Sequence, residues 1–303
     1  MKIAAKLRIA MRGHFRRDSR MMRALLAVAV APLLLSGCAD WVEQAAGPVS
    51  GAERTIFFDT LAIMLLIVVP VIIATIGFAW WYRASNERAR HLPTWSFSGR
   101  IEIVIWSIPA LVIFFLGGIA WISAHDLDPA HPIAGRQAPL EIDVVALDWK
   151  WLFIYPEQGV ASVNRLVVPA GVPLRFRLTS ATVWNAFWIP RLGSMLYCMY
   201  GMAGTLYLQA DEPGVYQGVS AMISGDGFST MHFDTDALGA VQFAAWTRSA
   251  RNTGPALDER AYRALLKPSA AVQPYSYGAV KQDLFNDIVM QRLPPGQGSA
   301  SNP

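Results

Sequence analysis

Cysteine and charge are both scarce in this chain. Two cysteines, Cys38 and Cys198, occur in 303 residues, which excludes a disulfide-built scaffold and a four-cysteine zinc site. Charged residues make up 16% of the chain, against about 25% in an ordinary soluble domain. With 53% hydrophobic residues and a mean hydropathy of +0.31, a disordered or fibrous chain is excluded and membrane spans are expected. Histidine is also sparse, and His232 is the single one beyond residue 139. A net charge of +4 and a pI near 9.2 would suit a partner such as nucleic acid or an anionic surface. The distribution of charge removes that reading. Eight of the 26 basic residues and one of the 22 acidic ones lie in residues 1–37, which leaves 18 against 21 and a net charge of −3.

That basic segment runs into a short apolar stretch, Ala24 to Leu35, and then Leu35-Ser36-Gly37-Cys38. The order describes an export signal, and the apolar stretch is too short to cross a bilayer well. The four residues ending at Cys38 resemble the lipobox of bacterial lipoproteins, which implies cleavage before Cys38 and lipidation of its sulfur. Two uncharged segments follow, residues 60–82 and 103–124. Each is long enough to cross a core about 30 Å thick. The loop 83–101 carries Arg83, Arg88, Arg90 and Arg100 against Glu87, whereas 39–59 carries Asp40, Glu43, Glu53 and Asp59 against Arg54. The excess of Arg places 83–101 in the cytoplasm. The mature N-terminal segment 38–59 and everything beyond the second span are then external. The expected anchor is a two-helix hairpin over 60–124.

Residues 125–139 read as a proline-rich linker. Beyond them the apolar pattern changes to period two, as in Leu174-Arg175-Phe176-Arg177-Leu178. Turn signals such as Pro169-Ala170-Gly171 and Glu212-Pro213-Gly214 separate the runs. This predicts an antiparallel β-sandwich or barrel over 140–247, with strands near 140–147, 149–155, 163–168, 174–178, 205–210, 214–221 and 231–243. A helical arm is expected over 256–290, with Tyr262, Leu265, Leu266, Leu284, Phe285 and Ile288 as its apolar positions. A disordered tail is expected over 291–303.

Three tracts, LDWKW (147–151), FWIPRLGS (187–194) and SAMISGDGFSTM (220–231), resemble subunit II of the haem-copper terminal oxidases. The resemblance implies a cupredoxin-like external domain. Cytochrome c oxidase members hold a dicopper centre there on a His, then a Cys-x3-Cys-x3-His-x2-Met run. Thiolates are the soft donors such a centre needs. Here the first His position is Asn185, the two Cys positions are Ser220 and Ser224, and the second His position is Phe228. Met231 alone matches. Cys38 lies in the lipobox, so the external domain holds one thiol, Cys198, and cannot form a two-thiolate bridge. One histidine, His232, is also too few for a mononuclear blue-copper set of two His and one Cys.

The loss of these ligands resembles the bo-type ubiquinol oxidase branch, as do DWKWLFIYPEQG (148–159), LLKPSA (265–270) and VKQDLFNDIV (280–289). The branch implies a structural subunit with no metal or other redox cofactor of its own, in the bacterial inner membrane. It also implies proton pumping, haems and copper in subunit I, ubiquinol as the substrate of the complex, and subunits III and IV as further partners. Two rivals come from other readings: a copper-carrying cupredoxin lipoprotein, and a cytochrome c oxidase subunit with a lost dicopper site. Glu102, at the cytoplasmic start of the second span, resembles the entrance of a proton pathway. Trp149 and Trp151 are expected on one side of a strand, in packing roles. Met231 is expected to pack as a relic, Cys198 as a small buried hydrophobe, and the apolar positions of the arm as core or as a face for a partner subunit. His125 and His131 lack a third ligand nearby.

Overall fold

The structure, a computed structural model, describes residues 44–90, 92–135 and 137–295. The export signal 1–37, Cys38 and the end of the tail lie outside the described residues.

Two long helices come first, α1 (Pro48–Trp81) and α2 (Gly99–Asp126). Both are long and apolar enough to cross a membrane. They contain Pro70 and Pro109, which spanning helices tolerate where neighbours satisfy the freed carbonyls. The 34 residues of α1 rise about 50 Å, well beyond a core about 30 Å thick. The segment 38–59, expected to lie outside the span, is helical from Pro48. Proline suits the first helical turn because its missing N–H would be unpaired there anyway.

The extra turns of α1 rest on the β-domain. The Ala46 N–H donates to Arg191 O at 2.8 Å, and the Asp211 N–H donates to Ala46 O at 2.9 Å. Ser50 Oγ donates to Arg191 O at 2.8 Å, and Ser194 Oγ to Glu53 Oε1 at 2.7 Å. Gly47 is required by this approach, because a Cβ there would sit 2.1 Å from Gln209 O.

The β-domain is a sandwich of two sheets. Its strands are β1 (Leu140–Leu147), β2 (Lys150–Tyr155), β3 (Val160–Val163), β4 (Arg165–Pro169), β5 (Leu174–Ser180), β6 (Asn185–Trp188), β7 (Leu196–Cys198), β8 (Gly204–Leu208), β9 (Gly214–Ser220) and β10 (His232–Leu238). Next come α3 (Ala240–Thr253), β11 (Ala256–Leu257), α4 (Glu259–Leu265), β12 (Tyr275–Tyr277), β13 (Ala279–Val280) and α5 (Leu284–Val289). One sheet has the order β12-β3-β2-β1-β5-β8 and the other β4-β10-β9-β6-β7.

Several expectations need correction. The sandwich is mixed, because β1 pairs with β5 and β4 with β10 in parallel. Strands β6 and β7 were not visible in the period-two pattern, being 4 and 3 residues long. The run 163–168 is two strands split at Asn164, whose φ is +53°. The run 231–243 stops at Leu238, because Gly239 caps α3. The arm is not purely helical, since β12 extends the first sheet at β3. Its apolar side chains do not wait for a partner. Tyr262, Leu265, Leu266, Leu284, Phe285 and Ile288 pack with Val145, Leu147, Leu152 and Ile154 on the outer face of β1–β2. Leu293 joins this cluster, so the segment treated as tail from 291 is still packed there.

The inner face of β1–β2 carries the second core. Trp151, Phe153, Phe176, Phe187 and Phe233 meet between the sheets. Phe187 and Phe233 stack at 5.4 Å with rings 8° apart, and Trp151 meets Phe187 edge-on at 5.5 Å. Each such side chain contributes roughly 1.5–3 kcal/mol on full burial.

Where the outer face reaches α5, charge replaces apolar surface. The parallel register sets Glu141 beside Arg175 and Asp143 beside Arg177. Arg177 contacts Glu141 at 3.3 Å and Asp143 at 3.5 Å, donates to Asn286 Oδ1 at 2.6 Å and lies 4.5 Å over the Phe285 ring. Burial of Asp143 outweighs the pull of Arg177 and pushes its carboxyl up from 3.8 to about 7. The folded chain thus holds a proton that the unfolded chain has released. Stability therefore falls as pH rises through that window. Asp143→Asn is expected to flatten this fall, measured by urea unfolding of the solubilised protein at both ends of the window.

Candidate functional site

The positions marked out by the sequence converge at one end of the second sheet. Asn185 opens β6, and Ser220 closes β9. Phe187 is paired with Ser220 and Asn185 with Cys198. After Ser220 the chain leaves the sheet, turns through Gly225 (φ +103°) and re-enters at His232 by way of a single 3-10 turn, Phe228–Thr230. The loop is closed at its base, where the Ser220 N–H donates to Met231 O at 3.1 Å.

Inside the loop, Asn185, Ser220 and Met231 are buried. Ser220 Oγ donates to Asn185 Oδ1 at 3.1 Å, and Asn185 Nδ2 donates to Val183 O at 3.2 Å. Ser224 Oγ lies 3.9 Å from Met231 Sδ. Phe228 is half-buried on the 3-10 turn. These five residues therefore lie at one end of the domain, where Ser220 meets Asn185 through a neutral hydrogen bond and Ser224 meets Met231 through a thioether contact. Cys198 is fully buried beside them, and burial pushes its thiol far above the ordinary range.

The two tryptophans do not share a side, contrary to expectation. Leu147 pairs with Lys150, so Asp148 and Trp149 form the two-residue turn of the β1–β2 hairpin. Trp149 sits at φ +61°. That conformation is rare for a bulky residue, and no Asn-Gly-type signal announces the turn. Trp151 points into the core, while Trp149 lies over the 220–231 loop. Its Nε1–H donates to Ser224 O at 2.9 Å, and its ring covers Gly227, where a Cβ would be 2.3 Å away.

Glu102 is not part of this group. It lies in the first turn of α2, at the other end of the hairpin, and accepts a 3.2 Å hydrogen bond from Trp106 Nε1. The i,i+4 spacing of Glu102 and Trp106 could have revealed this pair in the sequence.

The donor set decides the chemistry of the loop. A dicopper centre needs two thiolates. The loop offers two hydroxyls, an amide, a phenyl ring and one thioether. Serine hydroxyls are neither soft nor ionised near neutral pH, so the residues do not fit that centre. Among the described residues no three His, Cys, Asp or Glu side chains cluster as a metal site. Ser220→Ala would leave the buried Asn185 carbonyl unpaired. A loss of about 1–3 kcal/mol is expected, read as a lower unfolding midpoint of the solubilised protein.

Comparison with known proteins identifies the family. The periplasmic domain family of cytochrome c oxidase subunit II matches residues 141–237, and the COX aromatic rich motif matches 251–296. Ubiquinol oxidase subunit 2 of Acetobacter aceti is 46% identical over 260 residues, spanning 85% of this chain and 84% of that protein. Cytochrome bo(3) ubiquinol oxidase subunit 2 of Pseudomonas aeruginosa is 44% identical over 267 residues, spanning 88% and 81%. Quinol oxidase subunit 2 of Bacillus cereus is 36% identical over 239 residues, spanning 78% and 82%. With the cupredoxin-like sandwich, the two apolar helices and relatives of this kind along most of its length, the chain belongs to subunit II of the haem-copper terminal oxidases, on the bo-type ubiquinol oxidase branch.

Proposed function

We propose that this chain is the anchoring, non-redox subunit of a proton-pumping ubiquinol oxidase in a bacterial inner membrane. The complex oxidises ubiquinol, reduces dioxygen to water and moves protons outward. The haems, the copper and the main quinol contacts lie in subunit I, with subunits III and IV packed alongside. The hairpin seats this chain in the membrane, with the sandwich in the periplasm. Cys38 carries the lipid left after the export signal is removed.

One observation carries the reading. The external domain has a single thiol, Cys198, and it is buried in the core and held protonated. Asn185, Ser220, Ser224 and Phe228 stand in place of ligands, with Met231 as the remnant. An electron route from an external protein carrier would need soft ligands at those positions. A donor dissolved in the membrane needs none.

Glu102 is the residue of this chain assigned to the proton route, as the entrance to a pathway in subunit I. Its carboxylate is oriented by Trp106, at the end of α2 nearest the loop 83–101. Ionisable groups at such depths are functional candidates in membrane proteins.

The purified complex is expected to oxidise ubiquinol and to leave reduced cytochrome c untouched. Oxidation of cytochrome c alone, or stoichiometric copper on this subunit, would overturn the assignment. For the proton route, Glu102→Ala is expected to slow turnover several-fold while the purified complex keeps its full subunit content. Unchanged turnover would remove Glu102 from the pathway.

A further inference from the structure

At the end of the hairpin opposite the sandwich, the helices and their connecting loop form an open cavity of about 690 Å³. Phe78 and Tyr82 come from the end of α1, Ile101 from the first turn of α2, and Arg90, Leu92 and Trp95 from the loop between them. The volume is within the range of small-molecule sites. Five of the six lining side chains are apolar or aromatic, and the sixth is a cation.

The cavity lies where the apolar helices give way to polar loop, so its loop side meets the headgroup level and its helix side the first part of the acyl tails. Tyr82 and Trp95 suit that level, since each joins an apolar ring to one hydrogen-bonding group. The surrounding loop carries four arginines against one glutamate. Arg83 is engaged locally: it lies 4.8 Å over the Trp80 ring and donates to Trp80 O at 3.2 Å. Arg90 makes no hydrogen bond or ion pair among the described residues, and its side chain borders the cavity. An apolar trough with a cation at its rim is complementary to an amphiphile with an anionic head. An uncharged quinol ring could accept a hydrogen bond from the guanidinium but would leave its charge unpaired.

We infer that this cavity binds one anionic phospholipid of the inner leaflet, with its phosphate against Arg90 and its chains along Phe78 and Ile101. Basic pockets between spanning helices on the cytoplasmic side commonly take such headgroups. The assignment is independent of the electron donor of the complex.

The test uses the intact complex in bilayer discs containing a photoactivatable phosphatidylglycerol, with crosslinked peptides of this chain mapped by mass spectrometry. Crosslinks are expected within residues 78–101, competed by unlabelled phosphatidylglycerol and not by phosphatidylcholine. Arg90→Gln should lower their yield about fivefold, the weight of one basic residue at a charged membrane surface. Arg90→Lys should restore most of it. Arg88→Gln makes the same charge change outside the cavity and should leave the yield near that of the parent. Equal losses from Arg88→Gln and Arg90→Gln would mean diffuse surface charge and would overturn the site. No crosslink in this stretch would mean that a neighbouring subunit fills the cavity, which overturns it too. Displacement of the lipid by excess inorganic phosphate alone would overturn the lipid assignment.

Discussion

The β1–β2 hairpin is buried on both faces, and the rest of the external domain depends on that. On the inner side, Trp151 and Phe153 close against Phe187 and Phe233 from the opposite sheet. On the outer side, Leu147, Leu152 and Ile154 are covered by the C-terminal arm. Either side alone would leave a wide apolar surface in water. The turn between the strands also serves both sides. Trp149 secures the 220–231 loop, and the next residue, Lys150, secures the arm. Lys150 Nζ donates to Lys267 O at 2.8 Å and to Ser269 Oγ at 2.6 Å. Burial lowers its amine from 10.5 to about 8, and those acceptors offset the cost of a buried cation.

The membrane anchor and the sandwich are joined by more than a linker. The first turns of α1 extend above the apolar span and dock on the Arg191–Ser194 loop through backbone and side-chain hydrogen bonds. Trp188 stiffens that loop by donating to Gly193 O at 3.1 Å. A sandwich fixed to its helix at this point has a defined height above the bilayer. That geometry suits a cap on a partner in the membrane better than a freely swinging carrier.

The loop 220–231 is held in shape by the chain's own side chains and backbone. Hydrogen bonds from Ser220 to Asn185, the closure between Ser220 and Met231, and the lid formed by Trp149 supply its order. The domain retains a cupredoxin-like frame around these neutral side chains.

Much of this was legible in the chain itself. Two uncharged runs marked the two long apolar helices, and the cysteine count gave the external domain its single thiol. Hydropathy, charge and donor identity are properties of residue type, and no fold is needed to read them. The parallel pairings, the short strands β6 and β7, and the turn at Trp149 had no local signal, because partners distant in sequence stabilise them. The arm left two readings open for a related reason. An apolar helical stripe looks the same whether it will lie on another subunit or on its own sheet, and only packing against Leu152 and Ile154 decided between them. The cavity around Arg90 was equally invisible, since it exists only once two helices and a loop are brought together in space.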